Sequence, residues 1–417
     1  MKRIAVIGSG ISGLSTAHYL SRAHEVHVFE SDDRIGGHTH TVMAESASGP
    51  VPVDTGFIVF NDRTYPSFCR LIAELGVEAQ PSDMSFAVTD GGTFEYSSRG
   101  LGGFFAQKRN YFSAPHYILF REILRFNREA PKILTHPDTG GMTLGEFLNE
   151  GRYAQVFIDR YLVPMAGAVW SMAPETMPDF PARTLIQFMH NHGMLGINTH
   201  PQWKAIRGGS QAYLAPLTRR FRKNIQKSAA IRSVARTERG VTLYFADRDD
   251  ENAQSFDEVV FACHGDQILP LLANPTESER EILTCFTTTR NETCLHTDSG
   301  MLPKRSGARA SWNYLLGERG RVTVTYHMNR LQSLKTAEDF CVTLNANGSV
   351  NPRHAVRRMV YEHPLYTRAA IRAQDRWAEI SGRNHTHFCG AWWFYGFHED
   401  GVRSGLRVAE ALGVSCA

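Results

Sequence analysis

Cys-x-x-Cys pairs, cysteine–histidine zinc spacings and an even cysteine count are all missing from this 417-residue chain. Its seven cysteines (Cys69, Cys263, Cys285, Cys294, Cys341, Cys389 and Cys416) are scattered. That pattern argues against a disulfide scaffold and a metal centre, and fits free thiols in a reducing cytoplasm. Long apolar runs are missing too. A spanning helix needs about 20 apolar residues, and the longest candidate here, Leu162 to Ala173, is short and carries Pro164. A soluble protein, or one peripheral to the inner face of a membrane, is expected. Charge of one sign is absent: 45 basic residues meet 42 acidic ones, for a net +3. With scattered arginines and no RNA-recognition, zinc-finger or basic-zipper pattern, nucleic acid is not an expected partner. No internal repeat or low-complexity tract interrupts the chain. The remainder, 42% hydrophobic and 21% charged, is ordinary globular composition, and the length suits two or three structural units.

Residues 3–37 carry the positive information. Arg3-Ile-Ala-Val-Ile-Gly8-Ser-Gly10-Ile-Ser-Gly13 reads as an apolar strand, a glycine turn and a helix start. Gly8 allows the tight turn, Gly10 lets the backbone approach a pyrophosphate, and Gly13 lets the helix pack closely on the strand. The helix N-terminus at Ile11 and Ser12 directs N–H groups and partial positive charge at the phosphates. Glu25-Val-His-Val-Phe-Glu30 is the second strand. Glu30, with Ser31 beside it, closes that strand 17 residues after Gly13. A carboxylate there accepts hydrogen bonds from ribose hydroxyls and disfavours a 2′-phosphate, which points to FAD or NAD rather than NADP. Arg34-Ile-Gly36-Gly37, directly after the second strand, resembles the element found there in two-dinucleotide-binding-domain flavoproteins; the resemblance implies FAD, with Arg34 and the backbone approaching the pyrophosphate. With this motif at the extreme N-terminus, no signal peptide is expected.

The dinucleotide unit reads as discontinuous: residues 1–80, 203–270 and 385–417. The second piece opens with Ile206-Arg-Gly208-Gly209-Ser210-Gln211 and a helix over Ala212–Arg222, followed by strands at Ile231–Arg236, Gly240–Ala246 and Phe256–Cys263. Asp247–Ser255 is polar, as a turn or exposed loop is. Residues 81–202 and 271–384 form the second domain, helical over 99–200, with strands at Thr284–Thr289, Glu292–Thr297, Ala308–Leu315 and Arg321–His327. Between Arg109 and Lys132, Tyr111, Phe112, Tyr117, Ile118, Phe120, Leu124 and Phe126 interleave with Arg109, Arg121, Arg125, Arg128 and Lys132. Such a segment either lies in a membrane interface or packs its aromatic stripe on the core.

The C-terminal run Phe388-Cys-Gly390-Ala-Trp-Trp-Phe-Tyr-Gly396-Phe397-His398-Glu399-Asp400-Gly401-Val402-Arg-Ser-Gly405 resembles the last flavin motif of the flavin-containing amine oxidase superfamily. The resemblance implies a helix aimed at the flavin and pyrophosphate. His398 and Val402 would contact FAD through their backbones, Glu399, Asp400 and Gly401 lie within that contact turn, and Gly405 would allow close packing. Val53-Asp54-Thr55-Gly56, with Phe57 after it, resembles the family's Asp-x-Gly near the isoalloxazine. Gly208-Gly209-Ser210 resembles its second glycine motif. Val234 falls at an adenine-contacting backbone position, and Ala262-Cys263 at the end of a cofactor strand. Two positions depart from the family pattern: His38 replaces a second arginine, and Trp392 replaces an acid. Asp-Thr-Gly-Phe-Ile-Val-Phe-Asn (54–61), Asn191-His192-Gly193, Ala310-Ser311-Trp312-Asn313-Tyr314 and residues 396–401 resemble a bacterial subgroup. That subgroup is similar to the N-terminal extension of plant cyclopropane fatty acid synthases and implies a lipid methyltransferase partner.

The implied fold is α/β: a two-domain flavoprotein of amine-oxidase type, with a Rossmann-like βαβ FAD domain and a mixed-sheet and helical substrate domain. The implied cofactor is non-covalent FAD, with no metal. The implied chemistry is hydride transfer to flavin N5 from an apolar substrate such as a methylated acyl chain. The alternatives are an amine or polyamine oxidase and a non-catalytic partner of a lipid methyltransferase. Desaturation also removes a proton, so a base is wanted. His38, His398, Glu399, Asp400 and Lys304 are the candidates, Lys304 as the lysine that many amine oxidases place by N5. Phe397 aligns with one ring of the amine-oxidase aromatic cage. Glu399 and Asp400 also suit helix capping. Trp170, Trp312 and Trp392-Trp393-Phe394-Tyr395 either line an apolar channel or pack the core.

Overall fold

A computed structural model describes residues 1–135, 141–170, 174–196, 199, 201–317 and 322–416. The apolar strand Arg3–Ile7 lies at the centre of a five-stranded parallel sheet. Glu25–Phe29 and then Ile225–Gln226 flank it on one side, Glu258–Phe261 and then Thr386–Phe388 on the other. Strands buried on both faces read as continuous apolar runs rather than alternating ones, as Ile4-Ala-Val-Ile7 and Val259-Val-Phe261 do. The strands of this sheet come from the first, second and third of the expected chain pieces.

Parallel strands all end at the same edge, and ligands bind there. At that edge stand Gly8, Glu30, Ala262 and Gly390. Helix Ile11–Leu20 buries all ten of its residues. Helix His398–Ala411 packs on it closely enough that a Cβ at Gly401 would lie 2.6 Å from Ile11 Cγ2, and one at Gly405 2.6 Å from Ser15 Oγ.

A second, seven-stranded sheet has the order Ala355–Pro364, Thr288–His296, Cys341–Leu344, Thr323–His327, Trp312–Leu315, Phe86–Thr89, Glu95–Ser97. It is antiparallel except where Trp312–Leu315 pairs with Phe86–Thr89. Helices between residues 100 and 191 pack beside it and form their own apolar cluster with Phe86, Val88 and Tyr314.

Several expected elements are re-cut. One strand, Thr288–His296, replaces the two expected over 284–297, because nothing between Thr289 and Glu292 turns the chain. Residues 284–286 instead close helix Glu277–Leu283, whose Thr276/Glu279 capping box fixes its start. The segment Phe256–Cys263 is split at Asp257, with Gln254–Phe256 in one sheet and Glu258–Phe261 in another. The helix expected over Ala212–Arg222 is a tight turn, Ser210–Tyr213, followed by Leu214–Thr218. Arg321, and the end of the apolar run at 171–173, lie outside the described residues. Among the described residues no helix is long and apolar enough to cross a membrane.

Candidate active site

A cavity of about 800 Å³ runs from the glycine turn into the space between the two sheets. At its first end the glycine turn is held by Glu30, whose carboxylate accepts the Ser9 N–H at 3.0 Å, the Ser9 hydroxyl at 2.5 Å and the Asp32 N–H at 3.0 Å. Arg34 donates to the Gly37 carbonyl at 2.7 Å. Gly8 sits at φ +104°, open to glycine but strained for other residues. A Cβ at Gly10 would meet no protein atom within 4 Å, whereas one at Gly13 would lie 2.1 Å from the Gly8 carbonyl oxygen. The space left over Gly10, with helix N–H groups beneath it, fits a pyrophosphate.

Two separated motifs clamp the middle of the cavity. Asp54, fully buried, accepts the Ser210 N–H at 2.8 Å, the Ser210 hydroxyl at 2.9 Å, Thr41 Oγ1 at 2.6 Å and Gln332 Nε2 at 2.9 Å. Burial pushes its carboxyl up to about 6 against those hydrogen bonds. Thr55, Gly56 and Phe57 thereby border the cavity. Phe57 stacks on His398 at 3.5 Å. His398 Nε2 is taken by Thr39 Oγ1 and Tyr213 OH, at 3.1 and 3.0 Å, so this imidazole is a fixed spacer, not a base.

His38 borders the cavity beside Tyr361, His363 and His264, at ring separations of 5.0, 5.3 and 6.1 Å. Its Nε2 is buried without a hydrogen-bond partner. Burial, and then the neighbouring imidazoles, hold it well below the usual histidine range. A buried, unpaired imidazole nitrogen on a cavity wall is an open valence for a ligand.

The far end is aromatic. Trp170, Phe188, Trp203, Trp312, Tyr326 and Phe397 border it. Phe397 stacks on Phe188 at 5.1 Å. His192 lies among them, 4.0 Å from Phe188 and 5.9 Å from both Trp203 and Phe397. Its Nδ1 is 2.9 Å from the Phe188 carbonyl. A carbonyl only accepts, so Nδ1 carries the proton and Nε2 is left as an acceptor. Burial pushes this ring down to about 4.

Of the residues expected from the sequence, Gly8, Gly10, Ile11, Ser12, Glu30, Ser31, Arg34, Gly37, His38, Thr55, Gly56, Phe57, Ala262, Gly390 and Phe397 border this one cavity. Others are placed elsewhere. Lys304 is exposed, with its Nζ over the turn at Gly92, because Leu302 beside it is the residue turned into the core. Val234 is buried in a strand and its carbonyl accepts from Ala273; Ala229, Ala230 and Ile231 border the cavity instead. Glu399 caps the helix Pro66–Glu74 through the N–H groups of Ser67 and Phe68, at 3.1 and 2.9 Å. Asp400 accepts from the N–H groups of Tyr395 and Phe397, at 3.2 and 3.0 Å. Gly13, Gly36, Gly401 and Val402 shape the turn and the helix packing without bordering the cavity. Trp392 and Tyr395 border it, while Trp393 is core.

His192, Phe188, Trp203, His264 and His363 went unassigned in the sequence. Only Asn191-His192-Gly193 gave any signal, as a short motif without a role. Among the described residues no group of three or more His, Cys, Asp or Glu could hold a metal ion.

A dinucleotide cradle at the edge of a parallel sheet thus opens into an aromatic chamber. The family model of flavin-containing amine oxidoreductases matches residues 11–298, and the chain belongs to that family. That membership implies a flavin cofactor and oxidoreductase chemistry, with FAD held non-covalently as is typical of the family. The flavin-dependent L-tryptophan oxidase RebO of Lentzea aerocolonigenes is 33% identical over 105 residues, 24% of this chain and 21% of its own. Protoporphyrinogen oxidase 2 of Arabidopsis thaliana is 54% identical over 43 residues, 10% of this chain and 8% of its own. The chain thus spans under a quarter of the curated relatives it matches. Among solved structures, cyclohexylamine oxidase from Brevibacterium oxydans has a TM-score of 0.67 at 15% identity, over 99% of this chain and 98% of its own. The CLA-producing fatty acid isomerase from P. acnes has a TM-score of 0.70 at 13% identity, over 99% of both chains. At such identities these share the fold.

Proposed function

We propose that this oxidoreductase dehydrogenates an apolar substrate, most simply a lipid acyl chain or its methylated form. The carrying observation is the composition of the aromatic end. Carboxylates on the described cavity wall are Glu30, Asp32 and Glu362, and none stands among Trp170, Phe188, His192, Trp203, Trp312 and Phe397. An ammonium substrate would be desolvated there without a counter-charge, which is costly. An acyl chain gains by burial in the same place.

FAD, when bound, would supply the two-electron acceptor for a hydride leaving one carbon. The proton from the neighbouring carbon goes to Nε2 of His192, and the carbon–carbon double bond forms. Phe188 fixes the tautomer that makes Nε2 the acceptor, and the surrounding rings exclude water. Reoxidation would need oxygen or another electron acceptor.

An anaerobic titration of the yellow protein tests this reading. Bleaching of the flavin band by acyl phospholipids and not by amines is expected. Bleaching by amines alone overturns it and restores amine oxidation. A flavin reduced by neither, in a protein that co-purifies with a lipid methyltransferase, would make the chain a non-catalytic partner.

A further inference from the structure

The segment between residues 99 and 132 holds a second feature that the cavity does not use. Ten large hydrophobic side chains are exposed on the described surface, and six of them lie between Leu101 and Leu124. Phe112 is 95% exposed and Leu101 66%. The helix Ala114–Glu129 buries His116, Leu119, Glu122 and Phe126, leaving Tyr117, Ile118 and Leu124 outward. Phe105 joins the patch, stacking on Tyr111 at 4.7 Å and meeting Tyr117 at 5.7 Å.

The charge around the patch has one sign. Residues 99–132 carry seven basic and two acidic side chains, more net positive charge than the +3 of the whole chain. Both acids are already satisfied: Glu122 is buried against Arg121 and Arg125, and Glu129 pairs with Arg125 and Arg128. Arg99, Lys108 and Arg109, which flank Leu101, Tyr111 and Phe112, have no carboxylate within ion-pair distance among the described residues.

We propose that this face docks on an anionic lipid surface, with Phe112 and Leu101 entering the acyl boundary and Lys108 and Arg109 meeting phosphate headgroups. Exposed apolar side chains with tyrosines and unpaired cations suit the headgroup region, where amphipathic elements bind by buried area plus attraction to anionic lipid. The inference stands apart from the substrate reading, because vesicle binding is measured without turnover.

The test is flotation of the FAD-loaded protein with vesicles of phosphatidylglycerol and phosphatidylcholine, against phosphatidylcholine alone, in about 0.1 M salt where charge is still felt over roughly 10 Å. Binding to the anionic vesicles, weakened by added salt, is expected. Phe112→Asp and the pair Lys108→Glu/Arg109→Glu should each lower partitioning by about tenfold or more, with the flavin spectrum and melting temperature unchanged. Three outcomes overturn the proposal: no binding to anionic vesicles, equal binding by the variants, or a concentration-dependent dimer that Phe112→Asp dissociates.

Discussion

The carboxylate of Asp54 accepts both the backbone N–H and the hydroxyl of Ser210, at 2.8 and 2.9 Å, across 156 residues of sequence. Each residue belongs to a short glycine-containing motif, and the bond joins two segments far apart in the chain. All the groups around this carboxylate donate. Asp54→Asn would aim an amide N–H₂ at donors and leave a buried hydrogen bond unmade. A loss of about 1–3 kcal/mol is expected, read as a lower denaturation midpoint together with weaker FAD retention. A midpoint equal to the parent's would show that the clamp contributes nothing.

The two glycines of the first turn should fail in different ways. Gly10→Val adds a side chain to open cavity, at backbone angles any residue adopts (φ −66°, ψ 179°). The fold should hold while FAD affinity drops by at least about tenfold, roughly 1.4 kcal/mol. Gly13→Ala drives a Cβ to 2.1 Å from the Gly8 oxygen, so overpacking should cost about 1–3 kcal/mol of stability. Equilibrium dialysis of FAD and denaturant unfolding separate the two effects.

His192→Phe keeps the ring packing and removes the proton acceptor. Flavin bleaching by substrate should slow by about 10²–10⁴-fold, with FAD affinity unchanged. In the parent, the rate should be level near neutral pH and fall as pH approaches 4, where His192 takes a proton. Lys304→Met, far from the cavity, should leave the rate unaltered. An unchanged rate in His192→Phe would remove His192 from the chemistry.

Acid should destabilise the fold early. Nine histidines (His38, His40, His116, His192, His264, His296, His327, His363 and His398) are held below the ordinary histidine value, each chiefly by burial. Below about pH 6.5 the unfolded chain binds more protons than the folded one at these sites, so their stabilisation is complete above that pH and falls as pH drops. Asp54 and Asp400, pushed up to about 6 and about 7 by burial, act in the opposite sense. Two groups do not balance nine. The melting temperature should therefore fall between pH 6.5 and 5; a flat or rising profile would contradict this.

The glycine turn and the strand-end acid that border the cavity were legible from the chain because their requirements are local. A tight turn, a close backbone approach and an acid at a strand end are each met by neighbours in sequence, so Gly8, Gly10, Glu30 and Arg34 announce themselves. The order of motifs along the chain likewise pointed to a parallel sheet built from three pieces. Boundaries were less legible where one residue ends a strand by leaving for another sheet, as at Asp257.

What only the tertiary structure decided is which side chains meet across long gaps. Glu399 and Asp400 looked the same as cofactor ligands or caps until the N–H groups of Ser67, Phe68, Tyr395 and Phe397 arrived beside them. Lys304 was chemically suitable but sits outside, because the chain turns Leu302 into the core and leaves Lys304 exposed. His192 became a candidate base only when the Phe188 carbonyl fixed its tautomer and Trp203 and Phe397 closed around it. Local backbone geometry is written in neighbouring residues; burial, tautomer and charge environment depend on residues brought from elsewhere in the chain.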